Sequence, residues 1–180
     1  MTGVQTCALP ILEAVIYGSV YVAQVAMGGN DSHVVKAFQE AEEYDGPSII
    51  IAYSSCIAHG YDLVHGLEQQ KLAVQSGYWP LMRYNPGLRG SGKNPFQLDS
   101  KAPSIHLKEY AYREARYTML ARGNPELAAK LLEEAQDDVE RQWRVYSARA
   151  AMPGRGETPN IAPAEKKEDQ QAAVAAGGAE

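Results

Sequence analysis

Hydrophobic positions in the first third of the chain follow two different periods, and their order predicts a strand–helix–strand unit. Residues 20–26 are rich in β-branched and aromatic side chains, which predicts a buried strand. Residues 34–41 then place their apolar side chains on one face of a helix. Residues 48–53 form an apolar run typical of a parallel strand covered on both faces. We therefore expect a right-handed βαβ unit in an α/β fold.

Turn and cap residues mark the ends of these elements. Residues 12–17 read as the end of a helix that Gly18 terminates, and Asn30 is placed to cap the helix of the βαβ unit. Gly28 and Gly29 lie between a strand and a helix, where phosphate-binding loops occur. Neither the G-x-G-x-x-G spacing nor the G-x-x-x-x-G-K-[ST] spacing is present, so a structural turn is favoured.

The second half of the chain predicts helices separated by irregular segments. A short helix is expected at about residues 67–75. Residues 79–84 indicate an edge or irregular strand, because Pro80 cannot donate a hydrogen bond to a neighbouring strand. Residues 85–103 form a long glycine- and proline-containing loop, and loops of this length are usually functional or packed on a partner.

Two C-terminal helices are expected after this loop. The first runs from a cap at Ser104 to about Arg122, and the second follows the Asn124-Pro125 cap. Apolar stripes support both helices: Leu107, Ala111, Ala115 and Met119 in the first, and Leu127, Leu131, Ala135, Val139, Trp143 and Tyr146 in the second. The acidic residues of the second helix are expected to form its solvated face rather than an acid–base pair: Glu133, Glu134, Asp137, Asp138 and Glu140. Residues 153–180 are polar and rich in Ala and Gly, which predicts disorder.

Composition limits the classes of function. A net charge of −5 without a basic stripe does not support nucleic-acid binding. No apolar run reaches the ~20 residues of a membrane helix, and no secretory signal is evident. With two cysteines in 180 residues, a disulfide framework is not expected, and the cytoplasm is the expected compartment.

Residues 1–11 resemble the translation of a widely used sequencing adapter, so we predict that this segment is not native protein. Cys7 would then have no role in the chemistry, which leaves Cys56 as the one authentic cysteine. The same interpretation predicts that the chain is the C-terminal fragment of a longer protein.

Cys56 is the main candidate for chemistry, because it follows a predicted buried strand at the end where α/β proteins place their sites. The residue type alone leaves three roles open: a buried thiol, a metal or cluster ligand, or a nucleophile. His59 and His65 could join it in a zinc site, although no second cysteine lies nearby. A ligand cysteine should expose its sulfur in an open concavity that faces the missing upstream domain, whereas a core cysteine should be enclosed by apolar side chains.

Basic residues in the middle of the chain offer a second candidate feature. They could meet a phosphate-bearing ligand or an acidic partner surface: Lys71, Arg83, Arg89, Lys93 and Lys101.

Several segments, in a specific order, resemble pyruvate:ferredoxin (flavodoxin) oxidoreductases. Residues 21–28, and residues 46–53 followed by Cys56-Ile57, resemble late core strands of that family. The most specific segments are residues 70–74, 76–81, 83–86 and 92–101. Residues 12–152 are thereby identified as the C-terminal part of a thiamine-diphosphate-binding domain with a parallel sheet, a long loop and two C-terminal helices.

The resemblance implies that Cys56 is the fourth ligand of a [4Fe-4S] cluster, the other three ligands lying upstream. It also implies thiamine diphosphate with Mg²⁺, held mainly by motifs upstream of Leu12. The implied reaction is coenzyme A-dependent oxidative decarboxylation of pyruvate to acetyl-CoA and CO₂. The implied electron acceptor is ferredoxin or flavodoxin, and the implied assembly is a homodimer.

An alternative belongs to a different class. In it the chain is a non-catalytic packing module, whose long loop and terminal helices form a subunit interface and whose Cys56 is buried and inert.

Overall fold

The computed structural model describes the backbone of residues 5–154 and the side chains of residues 11–154. Its helices are α1 (Gln5–Tyr17), α2 (Asp31–Glu43), α3 (Gly66–Gln75), α4 (Leu107–Ala111), α5 (Ala115–Gly123) and α6 (Pro125–Ala150). Its strands are β1 (Tyr21–Val25), β2 (Ser48–Ala52), β3 (Met82–Tyr84) and β4 (Phe96–Leu98). Single turns of 3-10 helix span Ile57–His59 and Leu63–His65, and a longer one spans Pro86–Ser91.

The four strands form one sheet in the order β2-β1-β3-β4. β1 and β2 are parallel, with Tyr21 opposite Ser48 and Val25 opposite Ala52. This pair and the intervening α2 confirm the predicted βαβ unit. β3 runs antiparallel to both β1 and β4, so the sheet is mixed rather than wholly parallel.

The predicted ends of the first elements are confirmed. Gly18 has a left-handed backbone (φ 75°) and follows the last residue of α1, as a C-terminal glycine should. The Asn30 side chain accepts a hydrogen bond from the His33 amide at 3.1 Å, which caps α2.

β2 is not covered on both faces, and that prediction was wrong. Ile49 keeps 42% of its surface exposed, and Ser48 and Ala52 are also exposed. The cause is position, because β2 is the edge strand of the sheet whereas β1 lies between two neighbours and is buried at all five residues. An apolar run does not distinguish these two positions.

The segment at residues 79–84 is not an edge strand. Its strand, β3, lies between β1 and β4, and Pro80 precedes the strand by two residues. The missing N–H therefore falls outside the ladder, while the Pro80 carbonyl accepts a hydrogen bond from the buried Gln24 side chain at 2.9 Å. The long loop predicted at residues 85–103 contains β4, which pairs with β3.

The first C-terminal helix is interrupted and forms two helices, α4 and α5. The break falls at residues 112–114, where Glu114 is fully buried and adopts an extended backbone (φ −105°, ψ 130°). Ser104 does not cap α4, which begins after His106, and Met119 is 69% exposed rather than on a buried face.

The second C-terminal helix, α6, is confirmed. The Asn124 side chain accepts a hydrogen bond from the Leu127 amide at 3.0 Å, and Pro125 occupies the first turn. The apolar stripe is only partly buried: Val139 and Tyr146 are buried, whereas Leu127 is 43% exposed. The acidic residues do face solvent, fully or in part: Glu133, Glu134, Asp137, Asp138 and Glu140.

Three apolar clusters form the core on the two faces of the sheet. One joins β1 to α2 through Tyr21, Ala23, Val25 and Ala37. A second joins α1, the sheet and α6 through Ile11, Val22, Met82, Tyr84, Phe96 and Tyr146. The third packs α3, α4 and α6 around Ala73, Trp79, Leu81, Leu107, Tyr110 and Val139.

A buried arginine joins α2, β3 and the segment after β4. The Arg83 side chain is 3% exposed and donates to both carboxylate oxygens of Asp99, at 2.7 Å and 3.0 Å. It also donates to Glu40 on α2, and His33 contacts Asp99 at 3.1 Å. Arg83 was one of the basic residues expected to meet a phosphate-bearing ligand or an acidic partner surface, but its charge is neutralised inside the protein by Glu40 and Asp99.

Two predictions fall wholly or partly outside the described residues. The proposed disordered tail is described only at residues 153–154. Residues 1–4 of the proposed adapter-derived segment are not described, whereas Ile11 at its end is fully buried in the core. The origin of this segment remains a prediction. No helix within residues 5–154 has the length and apolarity needed to cross a membrane.

Replacing Arg83 by Met should lower the free energy of unfolding by about 3–5 kcal/mol, because two partly buried carboxylates would lose their partner. Urea unfolding of the 180-residue chain measures this loss. The control is Arg141→Met, which removes an exposed ion pair with Asp138 and should cost about 0–1 kcal/mol. Equal losses in the two variants would contradict the account.

Stability should fall in acid through Asp99. Burial raises the pKa of its carboxyl group, but hydrogen bonds and charge from His33 and Arg83 outweigh burial and hold the pKa below its usual range. The unfolded chain therefore binds this proton first, so the contribution is complete above about pH 4 and is lost as the pH falls through the folded-state pKa. Asp99→Asn should flatten the dependence of unfolding free energy on pH below about pH 4, whereas Asp45→Asn, at an exposed position, should not.

Candidate functional site

The segment after β2, residues 53–60, forms a turn at the carboxyl end of the parallel strands; we call it the Cys56 turn. The Tyr53 amide donates to the Val25 carbonyl at 2.9 Å and extends the β1–β2 ladder by one residue. The His59 amide then donates to the Cys56 carbonyl at 3.0 Å, which closes the Ile57–His59 turn.

Gly60 ends the Cys56 turn in a left-handed conformation (φ 74°), which favours glycine. A Cβ atom at Gly60 would also lie 2.4 Å from the Cβ of Ala115. The Gly60 carbonyl accepts a hydrogen bond from the Ala115 amide at 3.1 Å, so the start of α5 holds the end of the turn.

The thiol of Cys56 is free and the residue is exposed. Within the described residues the thiol is therefore not enclosed by apolar side chains, contrary to what the packing alternative expected. The reason is geometric: β2, the strand that precedes Cys56, is at the sheet edge, and the chain leaves the sheet before the cysteine is reached. A thiolate at this position is accessible to a metal, a cluster or another chain.

Exposed apolar side chains lie within the Cys56 turn and on the segments next to it; we call them the apolar rim. Its members are Met27, Ile57, Leu63, Val64 and Leu67, which are between 47% and 85% exposed. Two close approaches connect the segments that carry these side chains. Gly28 lies against the backbone of Leu67, and Gly66 lies against the side chain of Ser55. The rim is an apolar patch of a kind that usually marks an interface.

The structure does not assemble the proposed zinc site. His65 is 64% exposed and lies 3.4 Å from Glu68, while His59 points towards Glu114. Within the described part of the chain, no group of three or more His, Cys, Asp or Glu side chains is placed to hold a metal ion.

Gly28 and Gly29 form a structural turn, as predicted. A Cβ atom at Gly28 would lie 2.1 Å from the Leu67 carbonyl oxygen, so α3 occupies the space that a phosphate would need. The Gly28 amide is also engaged, because it donates to the Gln70 side chain at 2.9 Å.

Two buried glutamines on α3 make contacts that the sequence analysis missed, and Gln70 is the functional candidate of the two. Gln70 connects the turns after β1 and β2, since it accepts from the Gly28 amide and donates to the Tyr53 carbonyl at 3.4 Å. Gln69 donates to the Tyr110 carbonyl at 3.1 Å and to Glu114 at 2.9 Å. The available signal was helical spacing: both glutamines lie on the same face as Ala73, which is buried.

Glu114 is the fully buried carboxylate behind the Cys56 turn. It accepts hydrogen bonds from Gln69 and from Arg116, which compensate for its burial. The Nδ1 atom of His59 lies 3.9 Å from Glu114, too far for a hydrogen bond. Burial and the positive charge of Arg116 lower the pKa of His59, so the imidazole is neutral near pH 7.

The phenol groups of Tyr53 and Tyr110 also lie beside the Cys56 turn, next to the buried residues Gln69, Gln70 and Glu114. The hydroxyl groups of Tyr53 and Tyr110 lie 2.9 Å apart, and the Tyr53 ring packs edge-on against Trp79. Burial raises the pKa of Tyr53 to about 12, and burial also raises the pKa of Tyr110. Both phenols are therefore protonated at neutral pH and hold the start of the turn as neutral hydrogen-bonding groups.

The remaining basic candidates are exposed and make none of the hydrogen bonds described for the buried residues next to the Cys56 turn. Lys71, Lys93 and Lys101 face solvent, and the Arg89 guanidinium lies over the ring of Tyr84 at 5.7 Å and donates to its hydroxyl. The proposed roles of these basic residues stay predictions.

Known proteins resemble this chain closely. No protein-family model matches it. A pyruvate-flavodoxin oxidoreductase of Trichormus variabilis is 55% identical over 140 residues, which is 78% of this chain and 12% of the relative. The pyruvate:ferredoxin oxidoreductase of Moorella thermoacetica is 48% identical over 135 residues, or 75% of this chain and 12% of the relative. A mitochondrial pyruvate dehydrogenase [NADP(+)] of Euglena gracilis is 44% identical over 135 residues, or 74% of this chain and 7% of the relative.

The chain thus spans about an eighth of the length of the first two relatives. The matches support an oxidoreductase relationship and confirm the resemblance found in the sequence motifs. The chain is homologous to one segment of the pyruvate-flavodoxin and pyruvate:ferredoxin oxidoreductases.

Proposed function

We propose that this chain is the segment of a pyruvate oxidoreductase that supplies one thiolate, from Cys56, to a [4Fe-4S] cluster. The observation that carries the proposal is the exposed, free thiol at the carboxyl end of the parallel pair, in a chain homologous to such enzymes. Iron–sulfur clusters take cysteine thiolates as ligands, which is the donor that this turn offers.

The described residues can supply one of the four thiolate ligands of such a cluster. Cys56 is the free cysteine among the described side chains, so the other three thiolates belong to another part of the enzyme. The apolar rim would cover the cluster side of the turn and exclude water from it. Solvent exclusion and hydrogen bonds to the sulfur atoms are the means by which a protein tunes the potential of a cluster.

The complete enzyme would catalyse coenzyme A-dependent oxidative decarboxylation of pyruvate to acetyl-CoA and CO₂. The cluster, when bound, would carry single electrons from the thiamine diphosphate and Mg²⁺ centre towards ferredoxin or flavodoxin. The contribution of this chain is to hold one thiolate in place. We assign the site for thiamine diphosphate to a different segment and the enzyme to the cytoplasm.

The relatives are named for different electron acceptors, and this supports a role for the chain in pyruvate oxidation rather than in binding one acceptor. Their names specify flavodoxin, ferredoxin or NADP(+), yet each is 44–55% identical to this chain. A segment dedicated to one acceptor would be expected to differ more between enzymes with different acceptors. We therefore infer that the chain serves the shared step, pyruvate oxidation.

A packing role is the second candidate. It is favoured by the exposed edge of β2 and by the apolar rim, which together offer a surface for another polypeptide. We propose that the remainder of the enzyme covers this surface and that two complete chains form a homodimer. The chain would then have both roles, and a measurement of iron binding by Cys56 distinguishes the ligand role from packing alone.

Accessibility of Cys56 can be tested directly in the 180-residue chain. In a Cys7→Ser background, the thiol should react with Ellman's reagent in native buffer, because the residue is exposed. The reference is the same chain in guanidinium chloride. A thiol that reacts only after unfolding would contradict the exposed position of Cys56.

The ligand role can be tested in the complete enzyme that carries this segment. Cys56→Ala should remove one [4Fe-4S] cluster from the EPR spectrum, lower the iron content and abolish pyruvate oxidation, because a cluster ligand would be lost. The control is Ser54→Ala, an exposed position in the same turn, which should keep all three properties. Full cluster content and unchanged turnover in Cys56→Ala would refute the proposal.

A further inference from the structure

We propose that Gln70 is a positioning residue for Cys56: its side chain ties together the turns that follow β1 and β2, and so fixes the direction of the Cys56 thiolate. The inference rests on the proposed function, because it assigns a task to Gln70 at the proposed cluster site.

Helix α3 lies directly across both turns. A Cβ atom at Gly28 would lie 2.1 Å from the Leu67 carbonyl oxygen, and one at Gly66 would lie 2.9 Å from the Ser55 hydroxyl. The backbone of α3 is therefore in contact with the turn after β1 and with the Cys56 turn. Substitution of either glycine would force these elements apart.

Gln70 is the α3 side chain that bonds to both turns. Its carbonyl oxygen accepts from the Gly28 amide at 2.9 Å, and its amide donates to the Tyr53 carbonyl at 3.4 Å. Gln70 is only 7% exposed, so water cannot readily replace these partners. A buried amide with both ends engaged restricts the separation of the two turns.

The position of Cys56 depends on the two ends of its turn. At the start, the Tyr53 amide bonds to Val25 and the Tyr53 carbonyl bonds to Gln70; at the end, the Gly60 carbonyl bonds to Ala115. Cys56 lies between these ends with its thiol free. Loss of the Gln70 bonds would loosen the start of the turn, which the Tyr53–Val25 and Tyr53–Tyr110 bonds still hold, and so change the angle at which the sulfur meets iron.

Gln69 provides a matched control on the same helix. It is 2% exposed and its amide also makes two hydrogen bonds, but these go to the Tyr110 carbonyl and to Glu114. Loss of the Gln69 amide would disturb the core by a comparable amount without touching the strand ends. The two glutamines therefore separate positioning of Cys56 from general stability.

The experiment compares Gln70→Met with Gln69→Met, which keep most of the side-chain volume and remove the amide. In the 180-residue chain, hydrogen exchange of the Gly28 amide should accelerate by about fivefold or more in Gln70→Met, the effect of losing one hydrogen bond. It should stay at the wild-type rate in Gln69→Met. In the complete enzyme, Gln70→Met should shift the reduction potential and EPR line shape of the cluster, and Gln69→Met should shift both less, because its bonds do not reach the turns after β1 and β2.

Wild-type potential and line shape in Gln70→Met, with Gly28 exchange accelerated, would overturn the proposal. If Gln70→Met does not fold, the pair Gln70→Glu and Gln69→Glu replaces it, since both add the same charge. Gln70→Glu loses the donor to Tyr53, so its EPR line shape should change more than that of Gln69→Glu, and identical line shapes would overturn the proposal.

Failure of the proposed function has a different signature. If Cys56→Ala retains every cluster, both the ligand role and the positioning role are wrong. If Cys56→Ala loses its cluster while the Gln70 and Gln69 variants have identical spectra, only the positioning role is wrong.

Discussion

The parallel pairing of β1 with β2 is the constraint on which the site depends. Parallel strands bring their carboxyl ends to the same edge of a sheet, so the turns after Val25 and Ala52 lie side by side. Helix α3 can then contact both turns at once, and Gln70 can bond to both. A shift of one residue in this register would move Tyr53 relative to Gly28 and separate the partners of that side chain.

The rest of the sheet is joined to this pair by polar groups that are buried and satisfied. Arg83 on β3 bonds to Glu40 and Asp99. The Gln24 amide donates to the Pro80 carbonyl, and the Trp79 indole donates to the Val25 carbonyl. Such groups cost free energy to bury unless their partners are well placed. They restrict how β3 can sit against β1, whereas apolar contacts alone would permit several arrangements.

Local sequence signals predicted the elements that local interactions determine. The β1–α2–β2 unit, the Asn30 cap and α6 after Asn124-Pro125 were all predicted, because periodicity and capping act within a few residues. The errors came from long-range pairing. β2 is an edge strand, β3 is an inner strand and β4 lies within the predicted loop, because sheet order depends on partners far along the chain. The break before α5 was missed because the sequence does not distinguish a glutamate that will be buried, such as Glu114, from one that will face solvent.

The candidate site was also predictable only where local sequence signals determine it. The order of strand and helix placed Cys56 at the carboxyl end of the parallel pair, and the motifs revealed the relationship to pyruvate oxidoreductases. The buried polar residues next to the turn were not predictable as a group. Gln69, Gln70 and Glu114 read as surface polar residues until the fold brings them into contact. Their roles arise from tertiary contacts across 41 to 45 residues of sequence.

The central claim is that Cys56 is one of four thiolates on a cluster whose other ligands come from outside this chain. An anaerobic cryo-EM map of the complete enzyme tests it most directly. The account predicts continuous density from the Cys56 sulfur to a four-iron cluster at the end of the β1–β2 pair, enclosed by the apolar rim. A map in which every cluster has four other ligands and the Cys56 sulfur contacts none would contradict it.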